Sequence, residues 1–262
     1  MSNPTDGLRI VPAEFYDGWV LEIDGNIQSH VDLNDPTLIR FEYLRRIGNV
    51  LDICWSAAEP LQVLHLGAGA LTLVRYVQAT RPGSRQLVVE RDTRLMDFVT
   101  SELPLPDGTH LTSISGDARA ELDHVPTQTF DAIVVDIFTG YDTEVHLTEA
   151  AFYQELLQRL SPHGILLANI GDDDGLTFLG RQAQLLHTLA TDDGLNGVWI
   201  LGHAPSLAHQ RAGNAVLAAG PGLPQATEPS TVLQARLAAA GPHPAAVLSP
   251  HETTRFVENL AI

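Results

Sequence analysis

The chain has 262 residues, 44% of them hydrophobic, which is enough for one large domain or two unequal ones with a real core. Its apolar runs fall far short of a membrane span, and MSNPTDG at the start lacks the basic-then-apolar order of a secretory signal, so the composition reads as a soluble, cytoplasmic protein. A formal net charge of −17 argues against nucleic acid and membrane as partners and favours cations. The single cysteine, Cys54, excludes an internal disulfide and reads as core. Eleven histidines show neither H-x3-H nor H-E-x-x-H spacing, so no metal site is expected.

Taken in order, Leu8 to Val11, Trp19 to Ile23 and Asn26 to Leu33 read as short strands, with Asp24-Gly25 as a tight turn. A unit this small must pack on something, either the main domain or a second subunit. Asp35-Pro36 is expected to cap and open a helix that carries Leu38, Ile39, Phe41, Leu44, Ile47, Val50, Leu51 and Cys54 on one face and ends before Glu59-Pro60. Strand and helix then alternate. Strands are expected at 61–66, 86–90, 109–115, 130–136, 164–170, 196–203 and 213–219, and helices at 72–80, 92–102, 148–160 (capped by Thr148) and 175–190. This implies a mostly parallel sheet covered on both faces, its last two strands antiparallel for want of a helix between them. Six prolines from Pro221 to Pro250 punctuate two helical patterns near 230–240 and 250–260. The expected division is an N-terminal β-strand domain at 1–34, a Rossmann-like nucleoside-binding catalytic domain at 35–220, and a Pro-rich C-terminal tail with short helices at 221–262.

The stretch LQVLHLGAGAL, residues 61 to 71, organises the rest. A buried strand runs into a glycine turn, where Gly67 and Gly69 let the backbone turn tightly and approach a ligand, and a helix start follows with free N–H groups. In such a sheet ligands bind beyond the carboxyl ends of the strands. Glu90, Asp117 after Gly116, Asp136 and Asn169 all fall there. Glu90, 21 residues after Gly69, suits the two hydroxyls of a ribose, or else a solvated or capping acid. Asp117, beside the Ala118 backbone, suits an adenine amino group and ring nitrogen, or else a helix cap. Asp136 ends an apolar strand, where a carboxylate needs a partner or a purpose, though a loop cap is the plainer alternative. The dinucleotide fingerprint fails because Thr72 stands where its third glycine belongs, and no basic residue lies in the loop. A nucleoside carrying a cationic sulfonium fits better among these acids.

Together VLEIDGNIQ (20–28), VLHLGAGA (63–70), VVERD (88–92), GDAR (116–119), FDAIVVDIF (130–138) and LTEAAFYQEL (147–156) resemble the spermidine/spermine synthase family of aminopropyltransferases. The resemblance covers residues 19–220. It implies an S-adenosylmethionine methyltransferase-type sheet with a small N-terminal β domain, and a homodimer. It implies no permanently bound cofactor, with decarboxylated S-adenosylmethionine, or S-adenosylmethionine itself, as co-substrate and a polyamine as partner. Glu90 would hold ribose, Asp117 adenine, Gln28 would line the pocket, and Asp136 would help deprotonate the attacking amine. The sequence departs from the family where Ala70 replaces an acid of the glycine loop, where Thr139 and Gly140 replace an Asp-Pro after Asp136, and where Tyr43 alone stands for a Tyr-His pair. Asp142 and Glu144 are the candidates to supply the lost amine contacts. An S-adenosylmethionine methyltransferase and a non-catalytic nucleoside-binding scaffold are the alternatives.

Overall fold

The structure, a computed structural model, describes residues 7–137, 143–224 and 230–260. Its N-terminal part is a three-stranded antiparallel sheet of β1 (Leu8–Pro12), β2 (Trp19–Ile23) and β3 (Asn26–Val31). Asp24 and Gly25 join β2 to β3 with φ of +50° and +80°, the left-handed pair that a type I′ hairpin turn needs. Leu8, Leu21 and Val31 point inward and pack with Leu71, Val74, Leu95 and Val99, so the small sheet rests on the main domain. Phe15, Tyr16 and Ile27 remain exposed on the small sheet and its connections.

The first helix, α1 (Glu42–Cys54), begins six residues later than the Asp35-Pro36 signal predicts. The Asp35 carboxylate is used locally instead. Its Oδ1 accepts from the Thr37 backbone N–H at 3.0 Å and from the Thr37 hydroxyl at 2.5 Å, closing a turn before any helix forms. Ile39 is buried from an extended connection rather than from a helix face. Cys54 ends α1 half-buried beside Trp55, and burial pushes its thiol up to about 11 against the opposing charge of Arg236.

The large sheet runs through β4 (Gln62–Leu66), β5 (Arg85–Glu90), β6 (His110–Ser115), β7 (Phe130–Val135) and β8 (Leu160–Asp172), all parallel. Helices α2 (Thr72–Thr80), α3 (Thr93–Glu102), α4 (Ala150–Leu157) and α5 (Thr177–Asp192) connect them or follow. α4 is shorter than predicted. Thr148 lies in the turn before it, and its hydroxyl donates to the Val145 carbonyl rather than capping the helix. Strands alternate between two buried faces. Leu64, Leu66, Ile133, Val135, Leu166 and Ala168 join one core, while Val63, Ala132, Val134, Ile165 and Leu167 join the other. Burial on both faces is why these strands read as unbroken apolar runs.

Beyond β8 the sheet turns antiparallel. β10 (Gly213–Ala219) lies between β8 and β9 (Trp199–His203). A six-residue helix, α6 (Ala204–His209), does stand between β9 and β10, contrary to expectation, but it is too short to carry a parallel crossover. The C-terminal stretch holds the two expected helices, α7 (Ser230–Ala240) and α8 (Pro250–Glu258). Between them an unanticipated strand, β11 (Ala245–Leu248), pairs with β9 at the edge of the sheet. Four residues flanked by prolines carry too little pattern to be read as a strand alone. The order across the sheet is β11-β9-β10-β8-β7-β4-β5-β6. The chain leaves β4 toward β5 and β6, then returns on the other side to β7. The switch point therefore lies between β4 and β7, whose ends carry Gly67 and Asp136. Among the described residues no helix is long and apolar enough to cross a membrane.

Candidate active site

The glycine turn after β4 is held from three sides. Gly67 has φ +94°, and a Cβ there would lie 2.5 Å from the Asp136 carbonyl oxygen. Gly69 has φ +49° and packs against Ser29 of β3, whose hydroxyl oxygen accepts from the Ala70 N–H at 3.1 Å. Leu71 is left-handed at the entry to α2, and no side chain caps that helix. Its first N–H groups therefore need water or a ligand. Gly67→Ala is expected to destabilise the fold by about 2–4 kcal/mol, because positive φ and backbone contact cannot both be relieved. Urea unfolding checks this, and a loss below about 1 kcal/mol would count against the turn's rigidity.

Glu90 ends β5 and braces the same turn. One oxygen accepts from the Ala68 N–H at 2.9 Å and the other from the Asp92 N–H at 2.8 Å. An ionised carboxylate has about four acceptor positions, so room remains for ribose hydroxyls. Asp117 follows β6. Its Oδ1 accepts from the Arg119 N–H at 3.1 Å and the Ala120 N–H at 3.0 Å, so it also caps the 3-10 turn Ala120–His124. Burial opposes its ionisation, but the Ala120 bond and the His146 ring outweigh it, and the group is held below the usual carboxylate range. The Ala118 side chain is buried in the core with Val89 and Leu122, so its backbone is what a ligand could meet. Gln28 is exposed on β3. It is the adjacent Ser29, not singled out from the sequence, that reaches the turn.

Asp136 is the most enclosed acid of the group. Its Oδ2 accepts from the Tyr43 hydroxyl at 3.0 Å and its Oδ1 from the Asn169 amide at 2.9 Å. Desolvation raises its pKa above the ordinary value, and these two bonds oppose the rise. Burial, with the charge and hydrogen bond of Asp136, pushes the Tyr43 phenol well above its ordinary range, so it remains a donor. Tyr43 comes from α1 and Asn169 from β8, so three distant segments converge on one carboxylate. A cavity of about 30 Å³ opens beside Asp136 and is lined also by Ser29, His65, Gly67 and Thr72. It has room for a water or two but not for a nucleoside, which would lie over the strand ends.

The loop returning toward α4 closes the outer side. Arg91 is paired with Glu144, and Arg119 donates to the His146 carbonyl at 2.8 Å and to Glu149 at 2.9 Å. The His146 ring meets Asp117. Glu144, a candidate for amine contacts, is thus engaged by a cation, and Ala70 is buried in the core behind the turn. Asp142, Thr139 and Gly140 lie outside the described residues. Asp117, Glu144 and His146 bring donor atoms within 4.8 Å of one another, but backbone N–H groups already hold Asp117 and Arg91 holds Glu144. His146, Arg91 and Arg119 escaped the sequence reading because nothing in a lone loop histidine or arginine announces its partner.

No protein-family model matches the chain. A polyamine aminopropyltransferase of Chromobacterium violaceum is 25% identical over 193 residues, 71% of this chain and 73% of that protein. The crystal structure of a probable spermidine synthase from Corynebacterium glutamicum superposes with a TM-score of 0.81 at 25% identity, covering 97% of this chain and 91% of that one. The chain is spermidine synthase-like in sequence and fold. Human methyltransferase-like protein 13, in complex with SAH, shares the fold alone, with a TM-score of 0.52 at 17% identity over 83% of this chain and 89% of that one. The spermidine synthase-like frame accounts for the methyltransferase-type strand order and for the small antiparallel sheet set before it.

Proposed function

We propose that this chain is an aminopropyltransferase that moves the aminopropyl group of decarboxylated S-adenosylmethionine to a diamine such as putrescine. The observation that carries the reading is Asp136, fixed between Tyr43 and Asn169 beside the glycine turn at the switch point. The relatives named above support it. Glu90 takes the ribose, Asp117 with the Ala118 backbone takes the adenine, and Gly67 and Gly69 let the nucleoside approach the backbone. The lone pair of a neutral primary amine forms an N–C bond to the aminopropyl carbon next to the sulfonium. The C–S bond breaks, its electron pair goes to sulfur, and methylthioadenosine leaves as a neutral thioether. The proton released from the new ammonium passes to Asp136, directly or through water in the adjoining cavity. A sulfonium is already a good leaving group, so orientation supplies most of the acceleration. The same reading takes the protein as a homodimer in the cytoplasm. Exposed Phe15, Tyr16 and Ile27 on the small sheet support a second copy there.

The test is calorimetry with S-adenosylmethionine and its decarboxylated form side by side, followed by mass spectrometry after adding putrescine. Tighter binding of the decarboxylated form, with methylthioadenosine and spermidine made in equal amounts, is the expected result. Preference for S-adenosylmethionine with methyl transfer would move the site to the alternative chemistry. Binding of neither would sink the nucleoside assignment.

A further inference from the structure

The Asp117 carboxylate is shared unevenly. Oδ1 carries the Arg119 and Ala120 N–H groups at 3.1 and 3.0 Å. The His146 Nε2 lies 3.1 Å from both oxygens, and among the described residues it is the sole partner of Oδ2. The imidazole comes from the loop beyond β7 rather than from the 3-10 turn that Asp117 caps. That loop is anchored independently by Arg119 on the His146 carbonyl and by Arg91 on Glu144. The other ring nitrogen, Nδ1, lies 3.5 Å from Glu144, within the same loop segment. The His146 ring is about two-fifths exposed and Asp117 about one-quarter, so the contact stands at the mouth of the site.

An exocyclic amino group on a purine is an N–H donor, as the ring Nε2 is, and it needs the same kind of acceptor. Oδ1 already carries two N–H groups, so an incoming amino group must come to Oδ2, and it cannot share the lone pair there that the His146 ring holds on the exposed side of the carboxylate. Resting on the assignment of Asp117 to the nucleobase, we propose that His146 is an internal competitor for that carboxylate: its imidazole fills the amino-group position and must swing aside for a 6-aminopurine to bind. His146 is then a positioning residue that sets nucleoside affinity and base preference without taking part in group transfer. Its cost falls on bases that need Oδ2. A base with an oxo group at that position gains less when the ring leaves, because a carboxylate cannot donate to the oxygen and only the neighbouring N1–H is left to pair with it.

The probes are 5′-methylthioadenosine and 5′-methylthioinosine, titrated by calorimetry into the full chain and its His146→Ala and His146→Gln variants. His146→Ala is expected to bind methylthioadenosine about tenfold more tightly, since one hydrogen bond to a charged acceptor no longer has to be broken. Binding of methylthioinosine, whose oxo group faces the carboxylate and whose N1–H is the one donor on that edge, tightens by about twofold at most. His146→Gln, whose amide N–H can still reach Asp117, returns the adenosine affinity toward that of the parent. Equal gains for both nucleosides would mean only a loosened loop and overturn the proposal, as would no gain for either. Failure of every form to bind methylthioadenosine would remove the nucleobase assignment itself, and the competitor with it.

Discussion

If Asp136 accepts the amine proton as proposed, Asp136→Asn is expected to lower turnover at least a hundredfold while leaving nucleoside affinity within about twofold, because the proposed base and ribose contacts lie on other residues. The substitution is tolerated for a specific reason. Asn169 donates through its amide nitrogen to Asp136 and leaves its own Oδ1 buried without a partner. When residue 136 presents an NH2 group in place of a carboxylate oxygen, a half-turn of the Asn169 amide offers that idle oxygen as its acceptor. Tyr43 still has a carbonyl oxygen to donate to. Stability is expected to move opposite to activity. The folded-state pKa of Asp136 is raised, so folding favours the protonated form, and the contribution is present in acid and lost as pH rises through that folded value. Asp136→Asn therefore gains stability over the parent at neutral pH, and the gap closes on acidification. Paired urea titrations at pH 7.5 and 5.5 beside the turnover assay read both effects. Turnover within tenfold of the parent would remove Asp136 from the chemistry.

A second large effect is expected from His65. It stands on β4, on the buried face that carries Val63 and Val134, where a strand of this kind would carry an aliphatic side chain. The Gln86 amide nitrogen donates to the Val74 carbonyl, so its oxygen faces the ring and His65 Nε2 carries the proton, at 2.9 Å. Burial pulls the imidazole down to about 4, with the Gln86 bond opposing. An unfolded histidine titrates near 6.5, so between those values the unfolded chain holds the extra proton and stability falls with falling pH. The full loss is about 3 kcal/mol by pH 4, of which about 1 kcal/mol is reached by pH 5.5. The higher value keeps the experiment away from the isoelectric point near 4.8. His65→Gln should flatten that part of the slope between pH 7.5 and 5.5. Equal slopes for variant and parent would show that the ring is not held neutral.

Much of this architecture was legible because its signals are local. Apolar runs bounded by Gly67, Glu90 and Asp136 mark buried parallel strands, and their ends mark the ligand side of the sheet. The errors have physical causes of the opposite kind. Asp35 satisfies a capping pattern, yet its side chain finds Thr37 first and closes a turn. β11 exists only because β9 offers an unpaired edge. The site divides the same way. Gly67, Gly69, Glu90, Asp117 and Asp136 follow from position along strands, whereas Ser29 and His146 act through contacts between segments that are 41 and 29 residues apart. No window of sequence contains such a pair.

The placement of β10 between β8 and β9 bears on how the molecule is made. During synthesis every named site residue, from Gln28 to Asn169, has been added before β9 has a neighbour to pair with. β9 must wait for β10, and its other edge stays open until β11 arrives. The chemical half of the protein is thus completed early, and the last strand serves as the seal on a sheet that would otherwise offer β9 to another chain. Lesions near residues 245–248 should consequently be felt as lost yield and self-association, not as altered substrate choice.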